Sequence, residues 1–102
     1  MAATPLKLPA AVTLAQAQEL LVQLAATVAD AAAGGGKTLV IDASAVQVFD
    51  SSALALLLEA QREARASGLV CSLLQPPPKL IELARLYGVE SLLGAAVEPV
   101  AA

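Results

Sequence analysis

Apolar and polar residues follow two periods along this chain, and the switches between them mark its elements. Leu14, Ala17, Leu21, Leu24 and Val28 recur at helical spacing opposite Gln16, Glu19, Gln23 and Asp30, which predicts an amphipathic first helix. Thr13 followed three residues later by Gln16 has the form of a capping box and sets its start. Its alanine-rich end runs into Gly34-Gly35-Gly36, where glycine can take the left-handed conformation that closes helices. Ahead of it, Pro5-Leu6-Lys7-Leu8 alternates as a short edge strand stopped by Pro9. Behind it, Thr38-Leu39-Val40-Ile41-Asp42-Ala43 is short and β-rich. Leu39-Val40-Ile41 is apolar on both faces, as in a central strand that is covered on both sides or parallel to its neighbours.

The chain is organised around Phe49-Asp50-Ser51-Ser52-Ala53-Leu54-Ala55-Leu56-Leu57-Leu58, where an apolar strand hands over to an apolar helix through a carboxylate and two serines. The helix is predicted over about Ser52 to Ser67, closing at Gly68 with Arg62 and Arg65 toward the end where the dipole prefers cations. On a helical wheel Leu54, Leu57, Leu58 and Ala64 cluster, whereas Leu56 falls on the other side with Glu59 and Glu63. An exposed Leu56 beside the serine pair would belong to a docking face. Phe49 is expected to pin the preceding loop into the core. Leu69 to Leu74 reads as the next strand and Gln75-Pro76-Pro77-Pro78 as a restricted loop. Lys79 to Tyr87 follows as a short helix with Leu80, Leu83, Ala84 and Tyr87 on one side, ending at Gly88. Val89 to Val97 would add a last turn, and Glu98 to Ala102 would fray.

This order predicts an α/β fold: a mixed or parallel sheet of about four strands packed with three to four helices through right-handed crossovers. The 102 residues fit one domain spanning 1–102, with an ordered core over about 5–97, and 58% hydrophobic content is ample for that core. With 6 basic and 9 acidic residues the net charge is −3, so there is no electrostatic footprint for nucleic acid or anionic lipid. The only aromatics, Phe49 and Tyr87, give neither a base-stacking platform nor a membrane-interface belt. Gln16, Gln18, Glu19 and Gln23 interrupt the first apolar run, so neither a signal peptide nor a spanning helix is expected. A single cysteine, Cys71, lies in an apolar run and reads as a small buried hydrophobe; a lone thiol suits a reducing compartment, and a cytoplasmic protein is expected.

The candidate chemistry narrows quickly. The absence of histidine removes Cys–His pairs and a Ser–His–Asp triad. Gly36-Lys37-Thr38 resembles the end of a phosphate-binding loop, but the motif's first glycine would fall on Ala31 and the segment runs from helix to strand rather than strand to helix. Asp42 and Asp50 read as turn formers and caps rather than as an acid–base pair or a magnesium site. Asp50 or Ser51 would cap the central helix, where a phosphate would be equally well tolerated. No cofactor and no metal are expected, and the chain reads as a non-enzyme.

The same residues carry a family resemblance. The run from Thr38 through Ser44, then Phe49-Asp50-Ser51-Ser52-Ala53-Leu54, then Ala66-Ser67-Gly68 and a strand, resembles the STAS domains, named for sulphate transporters and anti-sigma factor antagonists. The resemblance extends from about Leu6 to Leu93. It places the phosphorylatable position of the anti-sigma factor antagonists on Ser51, with Ala53 standing where the family pattern has glycine. Lys79 to Leu93 looks more like one branch, the small cytoplasmic STAS subunit of the Mla phospholipid-transport ABC system, which sits on the ATPase subunit and supports its assembly and activity. The resemblance thus implies one of two roles. The first is a non-enzymatic subunit that binds a transporter ATPase through Asp50, Ser51, Ser52, Leu56 and Glu59, held at the inner membrane only through that partner. The second is an anti-sigma factor antagonist switched by an anti-sigma factor kinase that phosphorylates Ser51.

Overall fold

The computed structural model describes residues 5–89. In chain order its elements are β1 (Leu6–Lys7), β2 (Ala11–Val12), α1 (Leu14–Ala33), β3 (Thr38–Asp42), β4 (Val48–Phe49), α2 (Ser51–Ala66), β5 (Val70–Leu74) and α3 (Pro78–Leu86). The expected α/β architecture is the observed one. Strands β1, β3 and β5 form a parallel sheet in that order, with Leu6 opposite Ile41 and Ile41 opposite Leu73. The strand order advances one way, so crossovers that follow the right-handed rule put α1 and α2 on the same face. Both helices pack on that sheet and on each other.

The register explains the core. Leu6, Leu39, Ile41, Cys71 and Leu73 point to the helix side and are buried. Leu20, Leu24 and Val28 of α1, with Leu54, Leu57, Ala60 and Ala64 of α2, close over them. The alternate residues of β3 and β5 lie on the other face: Val40 is half-buried, while Thr38, Val70 and Leu74 are exposed. Of the two readings of Leu39-Val40-Ile41, the parallel central strand is therefore correct, and cover on both faces is not seen among the described residues. β2 and β4 pair in a second, two-stranded parallel sheet, with Val12 opposite Phe49. Two-residue strands carry no alternation, so this sheet left no trace in the sequence pattern. Phe49 packs against the core, as expected.

All three helices stop by one device. In α2, Leu69 N–H donates to the Ala64 carbonyl at 2.8 Å and Gly68 N–H to the Arg65 carbonyl at 3.2 Å. This is the paired closure that requires a left-handed residue just past the cap, and Gly68 supplies it at φ +74°. Gly36 and Gly35 close α1 and Val89 and Gly88 close α3 through the same two bonds. The expected turn beyond Val89 and the expected frayed tail lie outside the described residues.

Burial among apolar neighbours raises the Cys71 thiol to about 11. Because the thiolate is the reactive form, Cys71 should react with an aromatic disulfide reagent only as fast as the domain opens. The check is the rate of thiol modification against denaturant concentration. Rapid, denaturant-independent labelling would show that the thiol is accessible in the fold.

Candidate functional site

Two helices begin side by side here, and a single carboxylate holds both starts. α1 opens with the capping box: Thr13 N–H donates to Gln16 Oε1 at 2.9 Å, and Ala15 N–H donates to the Thr13 hydroxyl at 3.3 Å. Asp50 is the N-cap of α2, its Oδ1 accepting from Ser52 N–H at 2.8 Å. Its Oδ2 reaches across and accepts from Leu14 N–H, the first residue of α1, at 3.2 Å. The four leading N–H groups of a helix lack intrahelical partners and carry the positive end of the dipole. One Asp50 carboxylate therefore answers both helices. The Ser52 N–H foremost, then Leu14 N–H and the Ser52 hydroxyl, hold Asp50 below the usual carboxylate value of 3.8.

That geometry fixes the roles of the predicted residues. Asp50 is the cap, and Ser51 is exposed as the first residue of the helix. Ser52 is half-buried against Asp50. Glu59 is half-buried one face further along and ion-paired to Arg62, with Arg62 Nε donating to Glu59 Oε1 at 3.0 Å. Leu56 requires a correction: it is not exposed but 3% accessible. α2 packs on the sheet and against α1 at once, so its apolar arc is wide enough to bury Leu56 as well as Leu57. Asp42 stands apart from Asp50 in function, its Oδ1 accepting from Ser44 N–H at 2.9 Å in a side-chain turn. Gly36-Lys37-Thr38 joins α1 to β3, the reverse of a phosphate-loop connection. No group of three or more metal-ligating side chains that could hold an ion occurs among the described residues.

A groove of about 470 Å³ runs along the outside of the α1–α2 contact from these helix starts. α1 contributes Leu14, Ala17 and Leu21; α2 contributes Ser52, Ala55 and Leu56, then Glu59 and Glu63. Leu14 is 75% and Leu21 39% exposed, so two of the five positions in the predicted α1 stripe face outward rather than into the core. Their place in the buried stripe is taken by Leu20. The expected docking leucine is thus the floor of the groove rather than a projecting contact. The projecting apolar residues are ones that the one-face reading assigned to the core.

A carboxylate whose folded value is depressed adds stability above its unfolded value and loses it as pH falls through the folded one. Asp50→Ala should therefore lower the melting temperature by a few degrees at neutral pH, through the loss of the α2 cap and of the bond to the first N–H of α1, whose own cap, Thr13, remains. The gap from wild type should close as pH falls below the ordinary carboxylate value of 3.8. Circular-dichroism melts of both proteins across that range provide the check. A gap independent of pH would show that the carboxylate's charge plays no part. Ser51→Ala, which removes no cap, should melt as wild type does.

A parallel sheet with two helices packed on it, and the Asp-Ser-Ser sequence at the start of the second, is consistent with a single STAS-like domain. The chain belongs to the family described as Mlab, STAS domain, whose model matches residues 2–94. No curated protein shows a significant match to the chain. STAS domains are generally non-enzymatic accessory domains, and no helix among the described residues is long and apolar enough to cross a membrane.

Proposed function

We propose that this chain is a non-enzymatic accessory subunit that binds the cytoplasmic ATPase of an Mla-type ABC phospholipid transporter, held at the inner membrane through that partner. The family match over residues 2–94 carries this reading. The groove beside Ser52 supports it, since its lining is mostly apolar and includes the exposed Leu14 and Leu21, a surface that a partner's side chains can cover. The contact surface is the α2 start, Asp50, Ser51 and Ser52, together with the groove; Glu59 sits on its rim and Leu56 shapes its floor. Affinity capture of the tagged chain from its own cells tests the proposal. It should return an ABC ATPase subunit in stoichiometric amount, and capture of a histidine-kinase-like anti-sigma factor in its place would overturn it.

Ser51→Asp sharpens the test. A carboxylate in the first turn complements the dipole, so the domain should stay folded. At a packed interface the same carboxylate must be desolvated without a designed counter-charge. The variant is expected to remain monodisperse and to lose the ATPase in co-purification, whereas Ser51→Ala keeps it. Retention at wild-type affinity would place Ser51 outside the interface.

One observation favours the second reading. Ser51 is exposed and is not the cap, so its hydroxyl is open to a kinase. In that reading the chain is an anti-sigma factor antagonist, and phosphorylation adds about −1.5 to −2 charge beside the Asp50 carboxylate. Intact mass spectrometry of protein from its own cells separates the two, because a switch requires a phosphorylated fraction on Ser51.

A further inference from the structure

The groove has a definite shape and sign. Leu14, Ala17 and Leu21 line one wall, Ala55 and Leu56 the other wall and floor, and the small side chains of Ala17 and Ala55 leave room for an incoming residue. From Ser52 to Glu63 the α2 side extends for roughly 16 Å at 1.5 Å per residue, which spans about three helical turns. At its far end the rim is acidic: Glu59 and Glu63 stand four residues apart on α2, a like-charge spacing that destabilises a helix. Arg62 is ion-paired to Glu59 and is also attracted by Glu63, so one guanidinium is shared between two carboxylates and the rim keeps a net negative charge.

Occupants differ in what they would leave unpaired. An extended peptide lying on two helices finds no strand edge, so its backbone N–H and C=O groups would lose water without gaining partners. A helix satisfies its own backbone and presents an apolar ridge of the kind such grooves accept. A second copy of this chain would bring the same lining, apolar and acidic with no lysine or arginine, to a protein already at net charge −3. Cationic residues beside the apolar ridge would instead pair with the rim.

We infer that the groove between α1 and α2 receives an amphipathic helix of the partner protein, its apolar ridge seated over Ala17 and Ala55 and a lysine or arginine at its flank reaching Glu63. This rests on the proposed role as a partner-binding subunit and specifies the chemistry of the segment bound.

Two designed helical peptides with one leucine–alanine ridge, flanked by lysines in one and by glutamates in the other, test it against the full 102-residue chain. Fluorescence anisotropy at low salt should give the lysine peptide an affinity about tenfold or more above its glutamate counterpart, with backbone amide NMR shifts concentrated at Ala17 and Ala55. Glu63→Lys should reduce that preference to near unity or reverse it, and Ala55→Arg should abolish binding of both peptides. Equal affinity for both peptides, binding of neither, or insensitivity to Ala55→Arg overturns the inference. A concentration-dependent dimer dissolved by Ala55→Arg also overturns it, by making the occupant a second copy. If the peptides fail while the ATPase still co-purifies, only the helix assignment falls; if the lysine peptide binds as described and no ATPase is captured, only the identity of the partner falls.

Discussion

Leu56→Asp unfolds the domain. Leu56 is 3% exposed at the floor of the α1–α2 contact, so the substitution removes a buried leucine and puts an unpartnered carboxylate in its place. Truncating a buried leucine costs about 2–5 kcal/mol, and desolvating a charge without a partner adds several more. A domain of this size has a total stability of only about 5–15 kcal/mol, so little or none survives. The cooperative melt seen by circular dichroism should disappear, as it should for Leu57→Asp. Ala55→Asp, one residue away on the exposed side, should keep it. A wild-type melt for Leu56→Asp would mean that α2 is rotated about its axis from the orientation described here.

The second large effect concerns binding rather than folding. Ala55 is exposed on α2 and lines the groove, so Ala55→Arg should leave the fold intact while filling the space an incoming side chain would use. Blocking the centre of an interface typically costs 2 kcal/mol or more, and a loss of about 3 kcal/mol is roughly a hundredfold in Kd. Glu82→Arg, on the exposed side of α3 and away from the groove lining, should leave affinity within about twofold of wild type and serves as the control for a general charge effect.

The contrast between Leu56 and Ala55 shows where the sequence was legible. Local signals were explicit: the capping box at Thr13, the glycines at positions 35, 68 and 88, and the β-rich run of β3 each specify backbone geometry within a few residues, and each lies where expected. Helix faces were harder because a wheel assigns one buried side, whereas α2 meets the sheet, α1 and α3. Leu56 faces α1 and so appeared polar-side by wheel position. The error on α1 has the converse form: Leu14 and Leu21 belong to an apolar arc wider than the helix's contact with the core, and its surplus forms the groove wall. Asp50 could be placed at a helix start from its position in the chain. Its second bond, to Leu14 across 36 residues, depends on how the helices are arranged in space and has no local signature.

The proposed role of this domain is to bind an ABC transporter ATPase through the α1–α2 side. Isothermal titration of the purified ATPase subunit with the purified chain tests it most directly. The expected result is a one-to-one complex of micromolar or tighter affinity, weakened about a hundredfold by Ala55→Arg and kept within about twofold by Glu82→Arg. No complex, or one that Ala55→Arg leaves at wild-type affinity, would contradict it.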